Sequence, residues 1–247
     1  MNKEAKVESK ELEERSSSIN WRGITLRELH TAKDEAGRQR RIAYFNDIIK
    51  VKKQNPLEWD WGEVDMLYNI WMALPYEVRA NLDIDNGKVK ILKTAKGSDD
   101  PNVRTLGRRY VDPIDEMAIC VMHTHPRGVA FWFSAPDLAI IARSIKYPSY
   151  VGAWSILVSK HGYIVAKPGP KMIKASVDIP KYEDLVKYYE KFVPLTNKAK
   201  GLTRGDYTKE EITAVYEMYT SIGMIWYLVP STYYKIQMGT IKNNINQ

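Results

Sequence analysis

The spacing of apolar residues changes along this chain, and the changes mark out its parts. Over residues 34–53, Ile42, Phe45, Ile48 and Ile49 recur at three and four, which predicts a helix with a basic entry. Asn55-Pro56 breaks it. Val64, Leu67, Tyr68, Trp71 and Leu74 repeat that period and predict a second helix, entered past Trp59 and Trp61 and ended or kinked by Pro75. Beyond Pro75 the runs shorten. Residues 78–84 and 88–94, joined by Asp85-Asn86-Gly87, predict a hairpin with Asn-Gly at its turn. After a polar loop over 96–102, a further strand is expected over 103–111. The apolar run 117–122 predicts a central strand, and SAPDLAIIARSI a helix after it. Residues 152–158 and 163–166 predict a second hairpin around Lys160-His161-Gly162.

Residues 168–206 are rich in lysine and proline, with a helix expected over 181–192. Thr208-Lys-Glu-Glu211 reads as a capping box that opens a last helix, from Lys209 to Met218 or beyond, limited by Pro230. Ile212, Val215, Tyr216, Tyr219 and Ile222 give that helix one apolar face, which is read as core. Strands with a helix inserted between them make the fold class α/β: a mixed β-sheet flanked by helices, with helical N- and C-terminal extensions.

Composition narrows this picture. An apolar share of 44% in 247 residues is enough for a proper core. Seven tryptophans and sixteen tyrosines against four phenylalanines suggest half-buried rings with polar tips at surfaces or interfaces. The single cysteine, Cys120, lies in the central strand run, so no internal disulfide forms and a small buried hydrophobe is expected. The first eighteen residues hold no apolar segment, and the longest apolar stretch, 222–229, is far too short to span a bilayer. A soluble, cytoplasmic protein with no membrane partner is expected. The net charge of +7 is concentrated over 160–204, where ten Lys and Arg face four Asp and Glu. Such a stretch can steer an acidic partner or a nucleic acid. No reading motif stands beside it, so a solvated face is the favoured reading.

The candidate chemistry lies in MAICVMHTHPRGVAFWFSAPD, residues 117–137. Residues i and i+2 of a strand share a face, so His123 and His125 present two imidazoles at the strand's end. Asp137, one turn into the following helix, brings a carboxylate to the same point. Two imidazoles and a carboxylate are a ligand set for Zn2+ that leaves a fourth position for water. The bland alternative is that Ser134 only caps the helix, with Pro136 in its first turn and Asp137 at the capping-box position. The remaining histidines, His30 and His161, have no such company and read as surface residues.

His123-Thr124-His125-Pro126 followed by Ser134-Ala-Pro-Asp137 resembles the signature of the JAMM (MPN+/JAB) zinc metalloproteases. Eight residues separate His125 from Ser134, one more than the family's commonest spacing, and the loop can absorb it. The resemblance implies an MPN-like, cytidine-deaminase-like core over 76–168. A flexible arm over 1–20 and a helical segment over 21–75 precede it. A basic, mainly helical extension over 169–247 follows. It implies zinc held by His123, His125 and Asp137, an upstream glutamate as general base, and Ser134 as hydrogen-bond donor to the oxyanion. Glu77, at the junction of helix and hairpin, is the candidate base. Glu63 and Glu116 are the alternatives. In the loop, Arg127, Phe131, Trp132 and Phe133 are either an aromatic anchor or a wall for an extended substrate chain.

Three readings of function result. The resemblance implies a zinc-dependent peptidase or isopeptidase, acting on a protein or peptide substrate such as the tail of a ubiquitin-like or sulfur-carrier protein. The second is a non-catalytic scaffold of the same fold. The third is a nucleic-acid-associated protein in the manner of RadC-like relatives.

Overall fold

The computed structural model describes residues 21–74, 76–96, 117–125, 131–145, 152–159, 162–193 and 209–231. The expected arm over 1–20, the strand over 103–111, Glu116, Pro126, Arg127, His161 and the cap at Thr208 lie outside them, as does the side chain of His30.

Among the described residues, six strands form one mixed sheet. Strands β1 (Val78–Asp85) and β2 (Lys88–Lys96) form the expected hairpin. Asn86 and Gly87 turn it with φ of 50° and 80°, the left-handed pair that a two-residue hairpin turn needs. Strand β3 (Cys120–Thr124) pairs antiparallel with β1 and parallel with β4 (Trp154–Ser159). β4 then pairs antiparallel with β5 (Gly162–Pro168). The parallel pair needs a crossover, and the helix between β3 and β4, Ala135–Arg143, supplies one.

Helices cover both faces. Leu26–Thr31, Glu35–Lys52 and Gly62–Ala73, here α1, α2 and α3, precede the hairpin. Val64, Tyr68 and Trp71 share a core with Ala80, Leu82, Met122, Ile156 and Val165 of the sheet. On the other face lie α4 (Ala135–Arg143), α5 (Pro170–Asp178), α6 (Tyr182–Glu190) and α7 (Lys209–Ser221). Leu138, Ile141, Leu185, Tyr189 and Tyr219 pack there against Leu157, Ile164 and Ala166. Every residue of β4 is buried, as befits a strand covered on both sides.

The structure bears out the helix at α2, adds which of its stripes faces inward, and corrects two other expectations. In α2 the inward stripe is Tyr44, Ile48 and Val51, whereas Ile42, Phe45 and Ile49 are exposed. Two stripes of helical period run along this helix, and the one bearing polar-tipped Tyr44 faces the core. The expectation of half-buried aromatic rings holds only in part: Tyr76, Tyr182, Tyr216, Trp226 and Tyr227 are partly buried, but Trp21, Trp154, Tyr44 and Tyr163 are fully buried. Polar tips bond inside the protein, Tyr44 Oη donating to Ala118 O (3.1 Å), Tyr68 Oη to Ser159 O (2.6 Å) and Trp154 Nε1 to Val51 O (3.1 Å). These bonds tie the helical layer to the sheet, so the aromatics act between layers. Lastly, the C-terminal region contributes a strand. Gly223, at φ 75°, ends α7 after Ser221, and β6 (Met224–Val229) pairs with β5 along the sheet's edge.

The last helix and the helix over 181–192 appear as α7 and α6, while α5 was not anticipated. Cys120 is buried as expected, and burial pushes its thiol up and keeps it unreactive. Within the basic stretch Lys167 is engaged inside the protein, donating to Lys52 O (2.6 Å) and lying 4.2 Å over the Trp154 ring. Among the described residues no helix is long and apolar enough to cross a membrane.

Candidate metal centre

The site forms where three elements meet at the carboxyl end of β3, the end at which parallel α/β sheets place their ligands. Cys120 and Met122 point into the core beneath α2 and α3, so the intervening Val121 and His123 point to the opposite face. His125 follows at the strand's end, its backbone N–H bonded to Val158 O (3.1 Å) of β4. The two imidazole rings stand 5.1 Å apart, centre to centre.

The helix N-terminus brings in the carboxylate. Ser134 caps α4, and the full capping box is present. Asp137 Oδ2 accepts from Ser134 N (2.8 Å) and from Ser134 Oγ (2.6 Å). Those bonds leave Oδ1 for the histidine strand, and it stands 3.7 Å from His123 Nε2. The capping and ligand readings of Ser-x-x-Asp therefore coincide, because the cap orients the carboxylate. In this arrangement the Ser134 hydroxyl proton serves Asp137, and an oxyanion can take it only if that bond opens.

Glu77 arrives from the other side. In the β1–β3 ladder Arg79 lies opposite His123 and Ala80 opposite Met122. Continuing that register two residues carries Glu77 opposite His125, and Glu77 Oε1 lies 3.9 Å from His125 Nε2. Thr124, between the two histidines, points to the opposite face and its Oγ1 accepts from Val78 N (2.9 Å). That bond fixes the backbone next to Glu77 against the histidine strand. Glu63, the alternative base, instead accepts the backbone N–H of Ile91 (3.0 Å).

His123, His125 and Asp137 place one potential ligand atom each within 4.8 Å of one another. His123 Nε2 is buried and makes no hydrogen bond. A buried imidazole nitrogen ordinarily has a partner, and its nearest acidic oxygen is too far for a direct bond. Ligand atoms held at zinc's usual 2.0–2.1 Å stand about 3.4 Å apart, so the spacing suits a shared ion. The group can hold a metal ion.

The charges in this group depend on one another. Burial pushes the Glu77 carboxyl up to about 7, with Asp137 adding to the rise and His123 opposing it. Burial also works against ionised Asp137, but His123, His125 and the Ser134 hydroxyl outweigh it and hold the carboxyl well below the usual range. Burial likewise opposes a charge on His123, yet Asp137 and Glu77 leave its pKa above the ordinary imidazole value. Two carboxylates in one site are thus driven apart, one kept ionised and the other able to carry a proton near neutrality.

The loop residues divide. Phe131 and Trp132 are 2% and 1% exposed within the α4-side core, so they anchor the loop rather than present a wall to solvent. Phe133 N donates to Tyr219 Oη (2.8 Å), and its ring lies 5.9 Å from that of His123. Sequence reasoning missed Thr124 and Tyr219 as supports. The alternation inside His-Thr-His pointed to the first, whereas the second reads only as one more residue of a helical stripe. No family model, curated protein or solved structure matches this chain, so the site is read from its geometry.

Proposed function

We propose that this chain is a zinc-dependent hydrolase of the JAMM type, with an MPN-like core, that cleaves a peptide or isopeptide bond. One observation carries the reading: the Glu77 carboxyl, on the residue before β1, lies 3.9 Å from His125 of a His-His-Asp group whose atoms could hold a metal ion. A divalent ion held by His123, His125 and Asp137 would lower the pKa of water bound to it and polarise a substrate carbonyl. Glu77 takes a proton from the attacking water and returns it to the departing nitrogen. A pKa near the working pH suits both transfers. Asp137, oriented by the cap, keeps one oxygen toward the ligand cluster. The Ser134 hydroxyl, on turning from Asp137, reaches the developing oxyanion.

The test uses purified protein and a fluorescent reporter joined by an amide bond to the C-terminal tail of a ubiquitin-like domain. Release is expected with zinc present and absent after chelation. Glu77→Gln should keep its zinc and lose release. Reporter release by Glu77→Gln at the wild-type rate would remove Glu77 from the mechanism, and a wild-type protein that takes up no zinc would remove the reading altogether.

A further inference from the structure

We infer that Arg79 forms an anion-binding subsite beside the ligand group, and that the amide cleaved there lies next to a carboxylate. The inference deepens the hydrolase reading above and rests on it for the word substrate. Arg79 sits directly opposite His123 in the β1–β3 ladder. Opposite residues of an antiparallel pair share a face, with Cα atoms about 5 Å apart, so its side chain leaves the sheet on the side of the site. Its charge is felt at His123, which it disfavours as a cation.

Among the described residues the guanidinium has no counter-ion. Its Nε is buried without a hydrogen bond, and among the described residues no carboxylate lies within ion-pair distance of it. The contrast within the same row is sharp, because Asp83, four residues on, takes Arg22 Nε at 2.6 Å. Charged groups withdrawn from water are ordinarily paired. The two nearby acids face elsewhere, Glu77 toward His125 and Asp137 toward His123. With a divalent ion in the ligand group, those two carboxylates balance its charge and Arg79 remains as a positive surplus. A guanidinium fork matches a carboxylate with two parallel hydrogen bonds, which a lone ammonium cannot do. One residue of extended chain spans about 3.5 Å. Because Arg79 stands directly across from His123, the carboxylate it would take lies close in the chain to the scissile carbonyl.

The experiment measures binding of three peptides to the metal-free full chain by calorimetry, so that direct ligation of an ion cannot imitate the subsite. The peptides are an acetylated tetra-alanine amide, the same peptide with aspartate at its second position, and acetylated tetra-alanine with a free C-terminal carboxylate. Wild type should bind at least one carboxylate peptide about tenfold or more tightly than the amide. Which one does so tells a side-chain carboxylate from a terminal one. Arg79→Gln should erase the preference and Arg79→Lys should keep part of it. Equal affinity for all three in wild type, or a preference that survives Arg79→Gln, overturns the inference. If Arg79→Gln does not fold, the wild-type comparison decides alone. A chain that holds zinc and releases the reporter without any carboxylate preference loses the subsite and keeps the hydrolase reading. A chain that shows the preference but takes no zinc does the reverse.

Discussion

The two sides of strand β1 are equally deep at its middle and do different things. Ala80 and Leu82, at 0% exposure, pack with α3 into a continuous apolar layer. Asn81 and Asp83, alternating with them, are 2% exposed and polar, and the same row continues back through Arg79 to Glu77. A polar row at that depth is costly unless its members find partners. Asp83 has Arg22, burial pushes the Glu77 carboxyl up toward neutrality, and among the described residues Arg79 makes no ion pair. Depth alone does not mark a core, then. What each buried group is paired with separates the side that supports from the side that carries the candidate metal site, and substitutions on one should leave the other intact.

The most drastic break is His125→Ala, which should abolish zinc binding while leaving a folded protein. Elemental analysis checks it, and wild-type zinc content in the variant would reassign the ligands. Glu77→Gln should lower turnover by roughly 10²–10⁴ with KM nearly unchanged, read by steady-state kinetics on the tail reporter. On the opposite side, Leu82→Ala should cost about 2–5 kcal/mol in urea unfolding and bind zinc normally per folded molecule. Loss of zinc without loss of stability would show that the two sides are not independent.

A smaller effect concerns pH in the metal-free protein. The folded pKa of Glu77, about 7, lies above its ordinary 4.5, so the folded state holds more protons between those values. This contribution is fully present below about pH 4.5 and is lost as pH rises through about 7. Glu77→Gln, which keeps the neutral shape, should change stability little near the lower limit and raise it by up to about 3 kcal/mol around pH 8. A stabilisation independent of pH would mean that the gain comes from packing. Least is expected of Ser134→Ala in stability, about 1 kcal/mol for the lost cap. Its zinc affinity is the sharper readout. A drop of roughly 10–100-fold marks Ser134 as the residue that orients Asp137, while intact affinity with slowed turnover marks it as an oxyanion donor.

Much of this was legible before the structure. Asn86-Gly87 announces its hairpin because few residues accept left-handed backbone twice in succession. His123, His125 and Asp137 converge because a strand's period and a helix cap are both local rules, readable over about fifteen residues. Glu77 was reachable only through the resemblance, since its approach depends on β1 pairing with β3 across some forty residues of chain. The inward side of α2 was not readable from the period, because Ile42, Phe45 and Ile49 run as regularly as the buried stripe of Tyr44, Ile48 and Val51. Strand β6 was missed for a related reason. A single apolar run after Ile222 fits a helix continuation or an edge strand equally well, and only the left-handed turn at Gly223 decides.

The late origin of β6 bears on how the molecule is made. Its hydrogen-bonding partner β5 emerges from the ribosome more than fifty residues earlier. Throughout that interval the outer rim of the nascent sheet offers unsatisfied amides to any extended peptide nearby. The same wait applies to Tyr219, whose hydroxyl secures the backbone just ahead of Ser134. Synthesis that stops before α7 therefore leaves an incompletely hemmed sheet, prone to self-association, and a candidate metal site with one wall unfastened.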